Sequence, residues 1–316
     1  MSPIDISIVV PIYNEEENIY PLYNSITHVM KGLGKRYEII FIDDGSSDNT
    51  FEKAREIFQK DSHLKVIRFR KNFGQTPAMQ AGFDHARGNI IISMDGDLQN
   101  DPEDIPKFLE KIEEGYDIVC GWRKNRQDRL ISRRIPSIIA NGLISLITGI
   151  KIHDNGCSLK AYRSSIIKKT QLYSEMHRFI PAMASMTGAR HTEIVVNHHP
   201  RRFGKSKYGI SRVWKVLLDM LTIKMLIGFS TRPSILFLTL SLPFLISGIV
   251  FLSFSVKLYL DPVLFDSLPI ILPLISCLFI FLFLHFFLLA MLSEMILKTG
   301  DFKQKDMIDM SLLKRL

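Results

Sequence analysis

Three acidic clusters carry much of the chemistry open to this sequence: Pro11-Ile12-Tyr13-Asn14-Glu15, Asp43-Asp44-Gly45-Ser46-Ser47-Asp48 and Asp95-Gly96-Asp97-Leu98-Gln99. In the third, two carboxylates flank a glycine. Hard divalent ions such as Mg2+ or Mn2+ prefer oxygen ligands and keep substrate phosphates in the rest of their shell, so this pair suits a metal that neutralises a diphosphate. Carboxylates and a tyrosine in the first two clusters could accept base N–H groups, bond ribose hydroxyls or stack on a nucleobase. Asp and Asn also make turns and cap helices without any ligand, and for either of the first two clusters taken alone that simpler reading stays open. Neither G-x-x-x-x-G-K-[ST] nor G-x-G-x-x-G, the glycine-rich phosphate loops, occurs in the sequence.

Those clusters need a frame that brings them together. Residues 6–10, 37–42, 64–69, 90–94 and 118–120 are short β-branched or aromatic runs bounded by polar or turn residues, and they read as buried strands. Helix-like segments over about residues 16–31, 49–60, 76–86 and 102–114 lie between them, the last with Asp101 as N-cap and Pro102 at the first helical position. This alternation predicts an α/β fold with right-handed βαβ crossovers and a mostly parallel, doubly wound sheet. In such a fold, ligands bind beyond the carboxyl ends of the strands. Each acidic cluster falls at a predicted carboxyl end, and this placing raises the D-x-D above a chance pattern.

The alternation stops after Gly121. Residues 131–150 pair Arg133 and Arg134 with an apolar-rich stretch at helical spacing, and 211–229 place apolar residues among three cations. The second segment suits a helix lying in a lipid headgroup layer, with a core-facing helix as the alternative. Residues 235–256 and 268–292 contain no Asp, Glu, Lys or Arg, and each exceeds the ~20 residues a helix needs to cross hydrocarbon. Two transmembrane helices are predicted, Pro243 and Pro273 being tolerated within them. The connecting loop, residues 257–267, has one cation and two aspartates, whereas cations crowd the outer flanks of both helices. The positive-inside rule then places both termini in the cytoplasm.

The net charge of +8 and a pI near 9.3 admit nucleic acid, anionic lipid or a phosphorylated substrate as partner. The cations gather beside apolar segments without interleaved surface aromatics, which argues for membrane lipids and against nucleic acid. Three cysteines without short-range pairing fit a reducing compartment. The opening residues lack the basic and apolar regions of a secretory signal, in keeping with a cytoplasmic front.

With these motifs in place, the chain resembles family 2 glycosyltransferases of the GT-A fold. It is similar to dolichol-phosphate mannose synthases and, through its two C-terminal apolar helices, to bacterial polyisoprenyl-phosphate glucosyltransferases. The resemblance covers nearly the whole chain. It rests on the three acidic clusters, Gly121-Trp122-Arg123, Asp154-Asn155-Gly156 and Arg201-Arg202-Phe203-Gly204-Lys205-Ser206-Lys207. It implies that Pro11, Tyr13, Glu15 and Asp44 hold the nucleotide. Asp95 and Asp97 would take the metal, Mg2+ or Mn2+, with Gln99 beside the diphosphate. Arg201 and Lys207 would meet phosphates from a loop that bends at Gly204, or else only touch anionic headgroups. Asp154 is implied near the reacting centre, as catalytic residue with Asp97, although a turn before Asn155-Gly156 explains it too. Arg123, Arg133 and Arg134 are candidates for the acceptor phosphate, since a guanidinium binds phosphate in bidentate fashion.

The activity implied is inverting transfer of a sugar from a nucleotide-sugar donor to polyisoprenyl phosphate, with glucose from UDP-glucose and undecaprenyl phosphate as the leading pair. A UDP-linked aminoarabinose derivative, another UDP-hexose or GDP-mannose are alternative donors, and a non-catalytic nucleotide-sensing membrane protein is the alternative of another class. The Q-x-x-R-W motif of processive synthases is absent, which favours one transfer per acceptor. The expected organisation is a catalytic domain over residues 1–210, an interfacial helix over 211–232, two spanning helices over 233–297 and a cytoplasmic tail over 298–316. Residence in a bacterial inner membrane and possible homo-oligomers complete the expectation.

Overall fold

The computed structural model describes residues 4–124, most of 141–201, a few positions between 222 and 229, and residues 232–260 and 270–299. The chain divides into two compact units, Met1–Lys224 and Met225–Leu316.

The first unit is built on a seven-stranded sheet in the order β3-β2-β1-β4-β6-β5-β7. Its strands are β1 (Ile6–Ile12), β2 (Tyr37–Asp43), β3 (Leu64–Arg68), β4 (Ile90–Ser93), β5 (Ile118–Trp122), β6 (Lys160–Arg163) and β7 (His191–Val195). The helices α1 (Ile19–Leu33), α2 (Thr50–Phe58), α3 (Gln75–His85) and α4 (Ile105–Glu113) supply the crossovers. The five predicted strands and the four helices predicted between them are present, with boundaries moved by one to three residues at most of their ends. Asp101 caps as expected, its side chain accepting the Glu103 N–H, though the turn it starts is a 3-10 turn over Pro102–Asp104 that runs into α4.

Both faces of the sheet are covered, which explains why β1 and β2 read as mostly apolar runs, broken only by Ser7 and Glu38 before β2 ends in Asp43, rather than alternating ones. On one face Ile8, Val10, Ile39 and Phe41 pack against Ile19, Leu22 and Ile26 of α1 and Phe108 and Ile112 of α4. On the other lies α3, so close that a Cβ on Gly82 would fall 2.3 Å from Val9 Cγ1. Glycine is required there by the approach.

Topology decides what reaches the site. β1, β2, β3 and β4 run parallel, and β5 pairs parallel with β7, whereas β6 is antiparallel to both β4 and β5. All strands but β6 therefore end on one edge, and β6 begins on that same edge. The segment leading into β6, with Asp154, is delivered beside the ends of β1, β2 and β4. Neither β6 nor β7 is foreseen from the sequence. Lys160-Ala161-Tyr162-Arg163 has cations at both ends and His191–Val195 is only half-buried, so neither shows an apolar run.

In the second unit, α5 (Pro233–Leu260) and α6 (Ile271–Thr299) are long and apolar enough to cross a membrane, with mean hydropathies of 2.5 and 2.7 over their most apolar windows. They pack through small residues: a Cβ on Gly248 would lie 2.9 Å from Ile280, and Ser276 Oγ donates to the Gly248 carbonyl at 2.9 Å. Phe244 stacks on Phe279 and Phe286 between them. Only 11% of each apolar window is buried, so these are not core helices of a soluble domain. The predicted helix over 131–150 lies partly, and that over 211–229 largely, outside the described residues, as does the tail from residue 300.

Candidate active site

At the carboxyl edge the first two acidic clusters are laced together. The register sets Ile12 beside Asp43, and the Asp44 N–H donates to the Ile12 carbonyl at 2.9 Å. Asn14 occupies left-handed backbone at φ 49, a conformation Asn tolerates. Its N–H donates to Ser46 Oγ at 2.9 Å, and its Oδ1 accepts the Ser47 N–H at 2.8 Å. The Glu15 N–H donates to Thr50 Oγ1 at 2.8 Å. Asp43 and Asp48 act as turn formers, Asp43 accepting from Ser46 N–H and Asp48 from Thr50 N–H. For these two, the simpler reading of acidic turns holds.

Asp44 differs. Its Oδ1 accepts the Phe73 N–H at 2.7 Å and its Oδ2 the Gly74 N–H at 2.9 Å, so it latches the loop between β3 and α3. Burial raises its pKa above the usual carboxylate value, and the two N–H bonds oppose that rise. Gly45 is forced by the same contact: a Cβ would sit 2.4 Å from the Lys71 carbonyl carbon, and its φ is +71.

The D-x-D turns sharply over β1. Leu98 has φ 60, and a Cβ on Gly96 would fall 2.8 Å from Ile12 Cγ2. Asp97 is buried, and burial, followed by the charge of Asp95, pushes its pKa up to about 6 against the Arg201 cation and the Gln99 N–H. Arg201 Nη2 donates to Asp97 Oδ2 at 2.6 Å, and its Nη1 lies 3.9 Å from Glu15 Oε1. One arginine therefore faces both the first and third clusters.

Arg201 arrives on a strap that sequence reasoning did not foresee. After β7, the Asn197 N–H donates to Asp104 Oδ2 at 2.7 Å, Asn100 bridges His198, and the His199 N–H donates to the Gln99 carbonyl at 3.0 Å. Gln99 Nε2 returns a bond to the His199 carbonyl at 3.4 Å.

Asp154 is locked rather than loose. Arg123 Nε donates to its Oδ2 at 2.7 Å and Nη2 to its Oδ1 at 2.9 Å, with Asp154 buried and Arg123 largely so. Burial alone would lower the Arg123 pKa, but the Asp154 hydrogen bonds reverse that and hold it firmly charged; Asp95 adds to the effect. Asp95 is thus within electrostatic reach of Arg123, and the two halves of the site share one neighbourhood. Beneath the loop, buried Lys160 donates from Nζ to the Asn155 carbonyl at 3.1 Å. Beside it His153 stacks on Trp122 at 4.3 Å and pairs with Glu193.

The edge gathers Pro11, Tyr13, Glu15, Asp44, Asp95, Asp97, Gln99, Arg123, Asp154 and Arg201. Arg133, Arg134 and Lys207 lie outside the described residues. Among the described residues no three or more His, Cys, Asp or Glu form a closed metal cage. A buried carboxylate with a second one in reach, already drawing a guanidinium, fits a divalent cation that completes its shell with substrate phosphates.

Three comparisons bear on this arrangement. Residues 7–171 match the family model described as "Glycosyl transferase family 2". Among curated relatives, the dodecaprenyl-phosphate galacturonate synthase of Rhizobium johnstonii is 47% identical over 261 residues, covering 81% of this chain and 76% of that protein. The undecaprenyl-phosphate 4-deoxy-4-formamido-L-arabinose transferase of Edwardsiella ictaluri is 41% identical over 218 residues, 69% of this chain and 67% of that protein. Among solved structures, glucosyl-3-phosphoglycerate synthase from Mycobacterium tuberculosis, in complex with Mn2+, uridine diphosphate and phosphoglyceric acid, aligns at a TM-score of 0.55 and 17% identity. That alignment covers 71% of this chain and 78% of the other. At such identity the likeness speaks for the fold.

Proposed function

The chain belongs to glycosyl transferase family 2, and from that premise we propose that it moves a sugar from a nucleotide-sugar to a polyisoprenyl phosphate at a membrane surface. The observation that carries the acceptor is the 47% identity, over 81% of the chain, with a protein named for a polyprenyl-phosphate product. The two apolar helices suit an acceptor that is itself anchored in lipid. The same relative favours galacturonate over the glucose expected from the sequence as the transferred sugar, with the nucleotide a uridine diphosphate. We take residues 1–210 as the catalytic part, 211–232 as interfacial, 233–297 as spanning and 298–316 as a cytoplasmic tail, in a bacterial inner membrane with both ends in the cytoplasm.

In this reading Pro11, Tyr13 and Glu15 line the nucleotide, and Asp44 fixes the loop beside it. Asp95 and Asp97 hold Mg2+ or Mn2+, which when bound neutralises the departing nucleotide diphosphate. The acceptor is a phosphate monoester with a second pKa near ~6, so at neutral pH it is already largely an oxyanion and needs no base. An acceptor oxygen forms a bond to the anomeric carbon from the side opposite the diphosphate, the bond from that carbon to the diphosphate oxygen breaks, and its electron pair leaves with the diphosphate. Inversion follows. Arg123 gives two of its N–H donors to Asp154, and a guanidinium has five, so Arg123 can hold the acceptor phosphate while Asp154 holds Arg123. Gln99, Arg133, Arg134, Arg201 and Lys207 are the further phosphate ligands of the proposal.

The test is direct. Purified full-length protein is incubated with undecaprenyl phosphate, Mn2+ and UDP-galacturonate, UDP-glucose, a UDP-aminoarabinose derivative or GDP-mannose, and the lipid fraction is analysed by mass spectrometry. A glycosyl phosphate lipid is expected, with galacturonate transferred fastest. No lipid product from any donor sinks the proposal.

A further inference from the structure

The loop that Asp44 latches ends in a residue whose side chain touches the D-x-D. Gln75 Nε2 donates to Asp95 Oδ1 at 2.7 Å. On its other side Asp95 is held through the main chain, its N–H donating to Asn100 Oδ1 at 3.0 Å, while Asn100 Oδ1 also accepts from Ser158 Oγ at 2.9 Å. We propose that Gln75 is a positioning residue for the metal ligand Asp95, and that Asp44 acts on the metal site through Gln75. The proposal rests on the reading that the D-x-D holds a divalent cation.

The geometry gives Gln75 a rigid base. It is the first residue of α3, directly after Gly74, whose φ of 99 is open to glycine and little else. The Phe73 and Gly74 N–H groups that set this turn both end on Asp44, and the loop backbone presses on Gly45. Helix α3 is fixed in turn by the close approach of Gly82 to Val9 and Ile42, and by Thr76 Oγ1 against His177 Nδ1 at 2.7 Å. A shift at Asp44 is thereby passed to the Gln75 amide without a slack segment between.

The chemistry suits the position. An amide N–H fixes the rotation of a carboxylate by occupying one oxygen, and directs remaining lone pairs toward a cation. Being neutral, it neither cancels the carboxylate charge, as a lysine would, nor adds an anionic ligand, as a glutamate would. Partners of this kind orient metal ligands, and their loss typically costs about 10–100-fold in metal affinity. A purely structural Gln75 at a helix start would instead affect stability and leave metal affinity alone.

The experiment measures Mn2+ affinity of the purified full-length protein by electron paramagnetic resonance of free Mn2+, without nucleotide and with UDP. Gln75→Met keeps the side-chain length and removes the N–H donor. It is expected to weaken Mn2+ binding roughly 10–100-fold in both conditions, with an unchanged Tm. Asp44→Asn is expected to weaken nucleotide-free Mn2+ binding in the same direction, which a residue serving only the nucleotide would not do. Mn2+ affinity in Gln75→Met within twofold of wild type, alongside a clear loss in Asp97→Asn, overturns this proposal and leaves the metal reading standing. Wild-type protein that binds no Mn2+ in either condition, or binds it as well after Asp97→Asn, overturns both.

Discussion

The Arg123–Asp154 pair offers the sharpest test of how the site works. The Asp154 side chain is buried and that of Arg123 largely so, at 4% and 12% exposure, and they are joined at 2.7 and 2.9 Å. Breaking such a pair by removing one partner leaves a buried charge uncompensated, at a cost of about 3–5 kcal/mol. Asp154→Ala strands the guanidinium and should show that loss in denaturant unfolding; Arg123→Ala should lose less, because the main-chain N–H at position 123 still donates to Asp154 Oδ2 at 3.4 Å. The double variant should recover part of it. The kinetic pattern discriminates between roles. If Asp154 acts by holding Arg123, removing Arg123 already removes what Asp154 contributes, and the double variant should be no slower than the worse single one. If Asp154 were an independent general base, its loss would multiply a further ~10²–10⁴-fold onto the Arg123→Ala rate. We expect non-additivity, measured as kcat/KM for sugar transfer to polyprenyl phosphate between pH 7 and 9. Asp154→Asn should keep more activity than Asp154→Ala, since its amide oxygen still accepts from Arg123. Multiplicative losses, or an Asn variant as dead as the Ala variant at every pH, would refute the reasoning.

Three further outcomes are expected. Asp97, with its pKa raised from 3.8 to about 6, holds its proton to higher pH in the metal-free fold than in the unfolded chain, so this group's contribution to stability is present below about pH 4 and is lost as pH rises through 6. Mn2+ must displace that proton, so its affinity should climb about tenfold per pH unit up to ~6 and level off above, as titrated by the resonance of free Mn2+. Gly45→Ala forces a left-handed alanine, worth about 1–2 kcal/mol, and drives a Cβ to 2.4 Å from Lys71; Tm should fall by several degrees and transfer should be lost, and wild-type values for both would contradict the latch. A cysteine at Ser267 should react with an impermeant thiol reagent from outside intact cells and one at Ser311 should not, and the reverse pattern would exclude a cytoplasmic catalytic site.

What the sequence made legible follows from the range over which each signal acts. β1 and β2 are buried on both faces, so burial wrote itself into local composition as Ile-Ser-Ile-Val-Val and Tyr-Glu-Ile-Ile-Phe-Ile, and α1 and α4 carry their own helical periodicity. The acidic clusters were legible for a related reason: each sits within a few residues of a strand end that periodicity had already located. β6 was not, because its four residues are specified by pairing with β4 and β5, some 70 and 40 residues earlier in the chain. The Asp154 loop could be recognised as a motif, yet nothing local announced that an antiparallel strand would carry it to the same edge as the D-x-D.

The partners of the site residues were the least visible part, and the reason is chemical. A carboxylate advertises a need for donors or cations without saying which will come. Asp44 found two backbone N–H groups about 30 residues away, Asp95 an amide 20 residues away, Asp97 an arginine 104 residues away and Asp154 an arginine 31 residues away. Backbone N–H groups have no sequence signature, and Gln75 follows β3, whose end is basic and carries no carboxylate to mark it. Those four partners also sort the carboxylates by task. Asp154 is matched by a full charge in bidentate geometry and has little left to offer as a base. Asp95 accepts a neutral amide on one oxygen, and Asp97 is matched by an arginine carried on the segment after β7. In the proposed metal site, that arginine and a divalent cation would compete for Asp97.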